Sequence, residues 1–146
     1  DYEAKRWERL EREWGLRYLK LRISRKIAFA GTLASIFLCE NPTAEYFTEQ
    51  FSKPPLARLA QLYDHLDDSG RGALKEIFQI ADAFVECLGN REFRERAKAV
   101  STRQELSRQA ELRYRREDAR RLQAALETIF FGSERLGDNA RRYLSF

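Results

Sequence analysis

The sequence predicts an all-α fold, and three observations carry that. Large apolar residues recur at intervals of three and four along most of the chain, no β-branched run alternates with polar residues, and the 146 residues include only seven Gly and three Pro. A chain of this length with 43% hydrophobic content holds one sizeable core. The expectation is a single domain over 1–146. It is a bundle of five or six helices, with a long, partly projecting N-terminal helix and a long C-terminal helix.

The first helix opens as an amphipathic one. Trp7, Leu10, Trp14, Tyr18 and Leu21 follow at spacings of 3, 4, 4 and 3, while Lys, Arg and Glu occupy the other faces. Glu8 with Arg12 and Glu13 with Arg17 stand four apart in the favourable order, each adding a few tenths of a kcal/mol. From Leu16 a second stripe begins (Leu16, Leu19, Ile23, Ile27, Ala30, Ala34), nearly opposite the first. One helix of more than thirty residues follows from this pattern. Its charged part, 1–22, projects or pairs with the last helix.

That helix runs into the stretch from Ile27 to Cys39, which carries no charge and points large side chains in nearly every direction. Such a helix expects apolar neighbours on all sides, with Phe37 fully buried. A membrane span is the competing reading, but thirteen residues make only about 20 Å of helix against a hydrocarbon core of about 30 Å. Burial in protein is the expectation.

Further on, Asn41 and Pro42 stop the first helix and open a second that reaches Phe51, with Asn as cap and Pro at the first helical position. Pro54 and Pro55 open a short third helix carrying Leu56, Leu59, Tyr63 and Leu66. Asp67 to Gly72 reads as a turn. Leu74, Ile77, Phe78, Ala81, Phe84, Val85 and Leu88 then define a fourth helix, closed by Gly89 and Asn90 as a left-handed cap. A short fifth helix holds Phe93, Ala97 and Val100. Thr102 and Glu105 match a capping box that starts a sixth helix or a kink, and the sixth runs to Phe131 on Leu112, Ala119, Leu122, Leu126 and Ile129. Arg115 and Arg116 interrupt that face, and Gly132 ends it. A last turn, 138–144, returns Tyr143, Leu144 and Phe146 to an apolar surface.

Composition excludes much chemistry. A single histidine, His65, rules out sites that need two imidazoles, and Cys39 and Cys87 lie 48 positions apart inside apolar patterns, as buried reduced thiols of an intracellular protein do. His65 beside a turn with Asp64 and Asp68 reads as exposed. Cys87 follows Glu86, whose charge raises a thiol pKa, so it reads as core. Asp82 and Glu86 stand four apart on the solvated edge of a helix. A calcium loop framed on His65, Asp67, Ser69, Gly70 and Glu76 fails, because its first ligand is His and its eighth position is Gly72. Ser69 to Gly72 could hold an anion at a helix start but lacks the Lys-Ser/Thr of a phosphate loop. No catalytic constellation, metal set or cofactor is implied.

No secretory pattern is visible, and the expected location is cytoplasmic. The chain begins at Asp1 without any Met, which reads as an excised piece of a longer protein.

The net charge of +4 collects at the two ends, and 21 of the 27 bases are Arg. Arg suits bidentate grip on carboxylate or phosphate. One basic segment holds Arg17, Lys20, Arg22, Arg25 and Lys26; the other holds Arg113, Arg115, Arg116, Arg120 and Arg121, with Glu111 and Glu117 each four residues before an Arg.

The functional expectation is a non-catalytic interaction or scaffolding domain that binds a protein partner or itself through Trp7, Leu10, Trp14 and Tyr18, since large aromatics flanked by Arg make anchors. A nucleic-acid module using Arg17, Lys20, Arg22, Arg25, Lys26, Arg113, Arg116 and Arg120 is the alternative. Peripheral contact of Arg17 to Lys26 and the apolar run with an anionic membrane comes third.

Overall fold

The computed structural model describes residues 13–132 and Leu136. Among them there are helices and connections and no strand, as the 3.6-residue periodicity requires. In chain order the helices are α1 (Trp14–Arg22), α2 (Ser24–Phe37), α3 (Ala44–Ser52), α4 (Pro55–Ala60), a single 3-10 turn (Tyr63–His65), α5 (Asp68–Gly89), α6 (Arg91–Ala99), α7 (Arg103–Arg108) and α8 (Ala110–Gly132).

α5 and α8 form the longest packed pair, α2 lies against α4, α1 against α6, and α7 folds back on α8. Leu19, Ile23, Leu59, Leu62, Ile77, Phe84, Phe93, Leu112, Leu122 and Ile129 meet in one core. Phe37 is buried as expected, edge-on to Phe130 with ring centroids 5.9 Å apart.

The expected single first helix is two helices. At Ile23 the backbone turns to φ −114° and ψ −74°, and this side chain is completely buried. The bend lets the two apolar stripes reach different neighbours, which a straight rod would hold in one line. The described part of the charged segment does not project. The Gly15 N–H donates to Val100 O at 3.0 Å, and Leu16 and Leu19 are buried where α1 crosses α6. Trp7, Leu10 and the Glu8 and Arg12 pair lie outside the described residues.

Two glycines make these crossings possible. A Cβ on Gly15 would stand 2.4 Å from Ala97 O, and one on Gly31 would stand 2.6 Å from Pro55 O. Polar groups tie α2, α3 and α4 together. Tyr46 OH donates to Ser35 O at 2.7 Å, Gln61 Nε2 donates to Gln50 Oε1 at 2.9 Å, and the buried Arg58 donates to Thr32 Oγ1 at 3.4 Å. Burial holds the Tyr46 hydroxyl above its ordinary pKa, aided by Cys39 and Glu49.

Several boundaries differ from the sequence reading. Thr43 caps α3 through Tyr46 N, in place of Asn41. Asp67 to Gly72 is helix: Asp67 Oδ1 accepts from Gly70 N at 2.7 Å and α5 starts at Asp68. That geometry removes the calcium loop, whose ligands need an irregular backbone. It also fills the anion site of the α5 start with the protein's own carboxylate. Gly89 has no left-handed conformation; Asn90 caps α6 through Phe93 N at 3.1 Å, and Arg94 Nη1 donates to Leu88 O and Gly89 O at 2.5 and 3.1 Å. An arginine side chain here satisfies the carbonyls that a glycine cap would have turned inward. Thr102 accepts from Glu105 N and Glu105 returns to Ser101 N, so the capping box forms, but it starts only the short α7. The long C-terminal helix begins at Ala110.

Candidate functional site

The two basic segments, about ninety residues apart in sequence, meet on one side of the molecule. Tyr18 and Arg22 stand four apart on α1, and Arg116 and Arg120 four apart on α8, so each pair shares a helix face. Arg103 joins them from the start of α7. Together these five side chains line a concavity of about 220 Å³.

Its geometry is held from behind. Trp14 stacks on Tyr18 with centroids 4.9 Å apart and ring planes 18° from parallel, and the Arg103 guanidinium carbon lies 5.7 Å from the Tyr18 ring centre. Arg116 Nη1 donates to Ser107 Oγ at 2.6 Å. Arg120 pairs with Glu117 at 3.0 Å. Arg22, Arg103 and Arg116 have no carboxylate within ion-pair distance among the described residues, and Arg22 Nε is buried without a hydrogen-bond partner. Among the described residues, three cations are therefore gathered without a counter-charge.

The other basic residues go elsewhere. Arg17 pairs with Glu13 at 3.6 Å, and Lys20, Arg25 and Arg113 are exposed, Arg113 lying 5.9 Å from the Tyr114 ring centre. Lys26 donates to Gln123 Oε1, and its pKa is lowered by burial and then by Arg22, against an opposing pull from Glu127. The expected pairs of Glu111 and Glu117 with the arginines four residues on do not form. Glu111 reaches Arg96 on α6, and Arg115 and Arg121 both turn to Asp118, at 3.0 and 3.3 Å, because Asp118 is the carboxylate inside the packed face. Arg121 also reaches Glu76 on α5 at 2.7 Å.

Beyond the Lys26 and Gln123 contact the same seam between α2 and α8 becomes apolar. Phe29, Ala30, Leu33, Leu126, Phe130 and Phe131 line a groove of about 180 Å³. Phe29 is 57% exposed, Ile36 45% and Phe131 44%. This corrects the expectation that the uncharged segment is enclosed on all sides. α4 packs closely on α2, α8 meets it at Phe37 with Phe130 and at Lys26 with Gln123, and the face carrying Phe29 and Ile36 is exposed.

The predicted aromatic anchors are divided. Trp14 and Tyr18 are half-buried and packed on the core, and Trp7 and Leu10 are outside the described residues. Arg103 is the contributor that the sequence reading did not select. The capping box places it at a helix start, but nothing local says that this start faces α1. His65 is exposed. Cys87 is half-buried, and burial pushes its thiol pKa up, with Arg115 opposing and Glu111, Glu86 and Asp118 adding. No cluster of three metal-ligating side chains occurs among the described residues, and no described helix is long and apolar enough to cross a membrane.

Comparison with known proteins adds no relative: no family model, curated protein or solved structure matches the chain. Function therefore rests on the two features of the α1–α2 and α8 seam.

Proposed function

We propose that this chain is a non-catalytic helical interaction domain that binds a protein partner or a second copy of itself, with the bare face of α2 and the adjoining end of α8 as the contact surface. The observation that carries this is the exposure of Phe29 and Phe131 at one apolar groove, with the exposed Ile36 seven residues on from Phe29 along the same face of α2. Scattered apolar residues are ordinary on a surface, but two exposed Phe rings on a shared groove, continued by Ile36, mark a contact site. With Trp14 and Tyr18 half-buried against the core, this reading places its anchor on the α2 and α8 face in place of the first stripe. The raised thiol pKa of Cys87 supports the non-catalytic reading, since burial keeps that thiol from being set up as a nucleophile.

Sedimentation of the purified chain across a concentration series in 0.5 M salt tests the self-binding form. Burial of apolar surface is worth about 25 cal/mol per Å² and is little weakened by salt, so a dimer is expected to persist. Phe29→Asp with Phe131→Asp should return it to monomer. Association that survives the double substitution would sink the assignment of this face.

A further inference from the structure

We infer that the arginine concavity is a binding site for a compact, multiply charged phosphate ligand, a diphosphate or phosphomonoester group carried by a small molecule. The inference is independent of the apolar contact face. Four guanidinium groups from three helices converge on one cavity, and only Arg120 has a carboxylate within ion-pair distance among the described residues. Gathering like charges in a partly desolvated cleft is unfavourable unless an anion enters between them. Arg is the side chain whose planar fork matches phosphate oxygens two at a time.

The cleft is also braced to stay open. Arg116 is held by Ser107, whose own hydroxyl is anchored on Arg103 O at 2.9 Å, and Arg103 rests on Tyr18, which rests on Trp14. Side chains fixed in this way lose little further freedom when a ligand arrives. The buried Nε of Arg22 is a donor awaiting an acceptor.

Compactness of the ligand follows from the surroundings. Several bases that could continue a track for a nucleic-acid backbone are already engaged. Arg17 pairs with Glu13, Arg96 with Glu111, and Lys26 with Gln123 beside Glu127. Lys20, Arg25 and Arg113 are exposed but stand outside the cavity, so the positive charge that converges is that of Arg22, Arg103 and Arg116, whereas a polymer of phosphodiesters is gripped by many spaced contacts.

The test is titration calorimetry of the full chain with sodium pyrophosphate, at ionic strength held constant with sodium chloride. Saturable one-to-one binding is expected, together with a melting temperature that rises with pyrophosphate by mass action. Arg22→Gln with Arg116→Gln should weaken binding at least about tenfold, since each removes charge-assisted hydrogen bonds. Arg91→Gln, which removes one charge from an exposed position of α6, should leave it unchanged. Without ligand, the double variant should melt no lower than the parent, because it relieves repulsion; this reading holds even if its binding is too weak to measure. Equal affinity in the double variant and the parent would overturn the site. So would a melting shift that chloride at equal ionic strength reproduces. A random ten-nucleotide single strand that binds more tightly than pyrophosphate, and loses affinity on Arg25→Gln or Arg113→Gln, would replace the compact ligand with a nucleic-acid backbone.

Discussion

Three glycines in helices look alike in the sequence and differ entirely in what surrounds them. A Cβ on Gly72 would meet nothing within 4 Å, so Gly72→Ala should stabilise the protein by about 0.5–1 kcal/mol, the helix-propensity difference. Gly15→Ala and Gly31→Ala should instead cost about 1–3 kcal/mol, because backbone oxygens of Ala97 and Pro55 occupy the space. Urea unfolding of the three variants checks this, and a stabilising Gly15→Ala would refute the tight crossing of α1 and α6. Cys87 gives a second prediction at this scale. Its folded-state pKa is raised, mainly by burial, so the folded chain keeps its proton where the unfolded chain has lost it. The sign follows: the contribution of this group to stability is intact below the ordinary thiol pKa and declines as pH rises from that value toward the folded-state one. In a Cys39→Ser background, reaction of Cys87 with a disulfide reagent at pH 8 should be slower than that of free cysteine. A rate equal to the free thiol would show that Cys87 is not shielded.

Helices in this fold depend on residues that join them as much as on their own stripes. Asp118 accepts from Arg121 and pairs with Arg115, and both Asp118 and Arg115 are largely buried on α8. Asp118→Ala should cost about 2–4 kcal/mol, since it leaves the Arg115 charge partly buried and alone. Adding Arg115→Met should recover part of that loss. Thermal melts in parallel would decide it, and an additive double variant would mean the pair is not coupled. Phe37→Ala should cost about 3–5 kcal/mol by opening a cavity against Phe130. At the start of α5, millimolar calcium should leave the melting temperature unchanged, because Asp67 is spent as a helix cap and the residues after it are helical.

Across the whole molecule the seam between α1–α2 and α8 changes character from cationic to apolar over a short distance. Arg22 ends α1 and Phe29 lies on α2, with the bend at Ile23 and the Lys26 and Gln123 contact between them. Sites separated in this way and without shared partners act nearly independently. Arg22→Gln with Arg116→Gln should therefore leave self-association unchanged, and Phe29→Asp with Phe131→Asp should leave pyrophosphate affinity unchanged. Measuring both quantities in both variants would expose any coupling. A loss of both properties in either variant would merge the two features into one site.

Local pattern alone determined the helical class, most of the core and several caps. Leu19, Ile23, Leu122 and Ile129 lie on stripes that any helix of this sequence must turn inward, and Thr102 with Glu105 caps a helix wherever it is placed. The two basic segments were equally visible as runs of charge. Their meeting was not, because periodicity fixes which residues share a face of one helix and says nothing about which face of another helix lies opposite. The bend at Ile23, the close approaches at Gly15 and Gly31, and the placement of Arg103 against Tyr18 all depend on contacts between residues far apart in the chain. The bare face of α2 has the same origin. Thirteen uncharged residues state that a helix prefers burial, but only the number and position of its neighbours decide that α4 covers one side, that α8 meets it at Phe130 and Gln123, and that Phe29 and Ile36 stay in water.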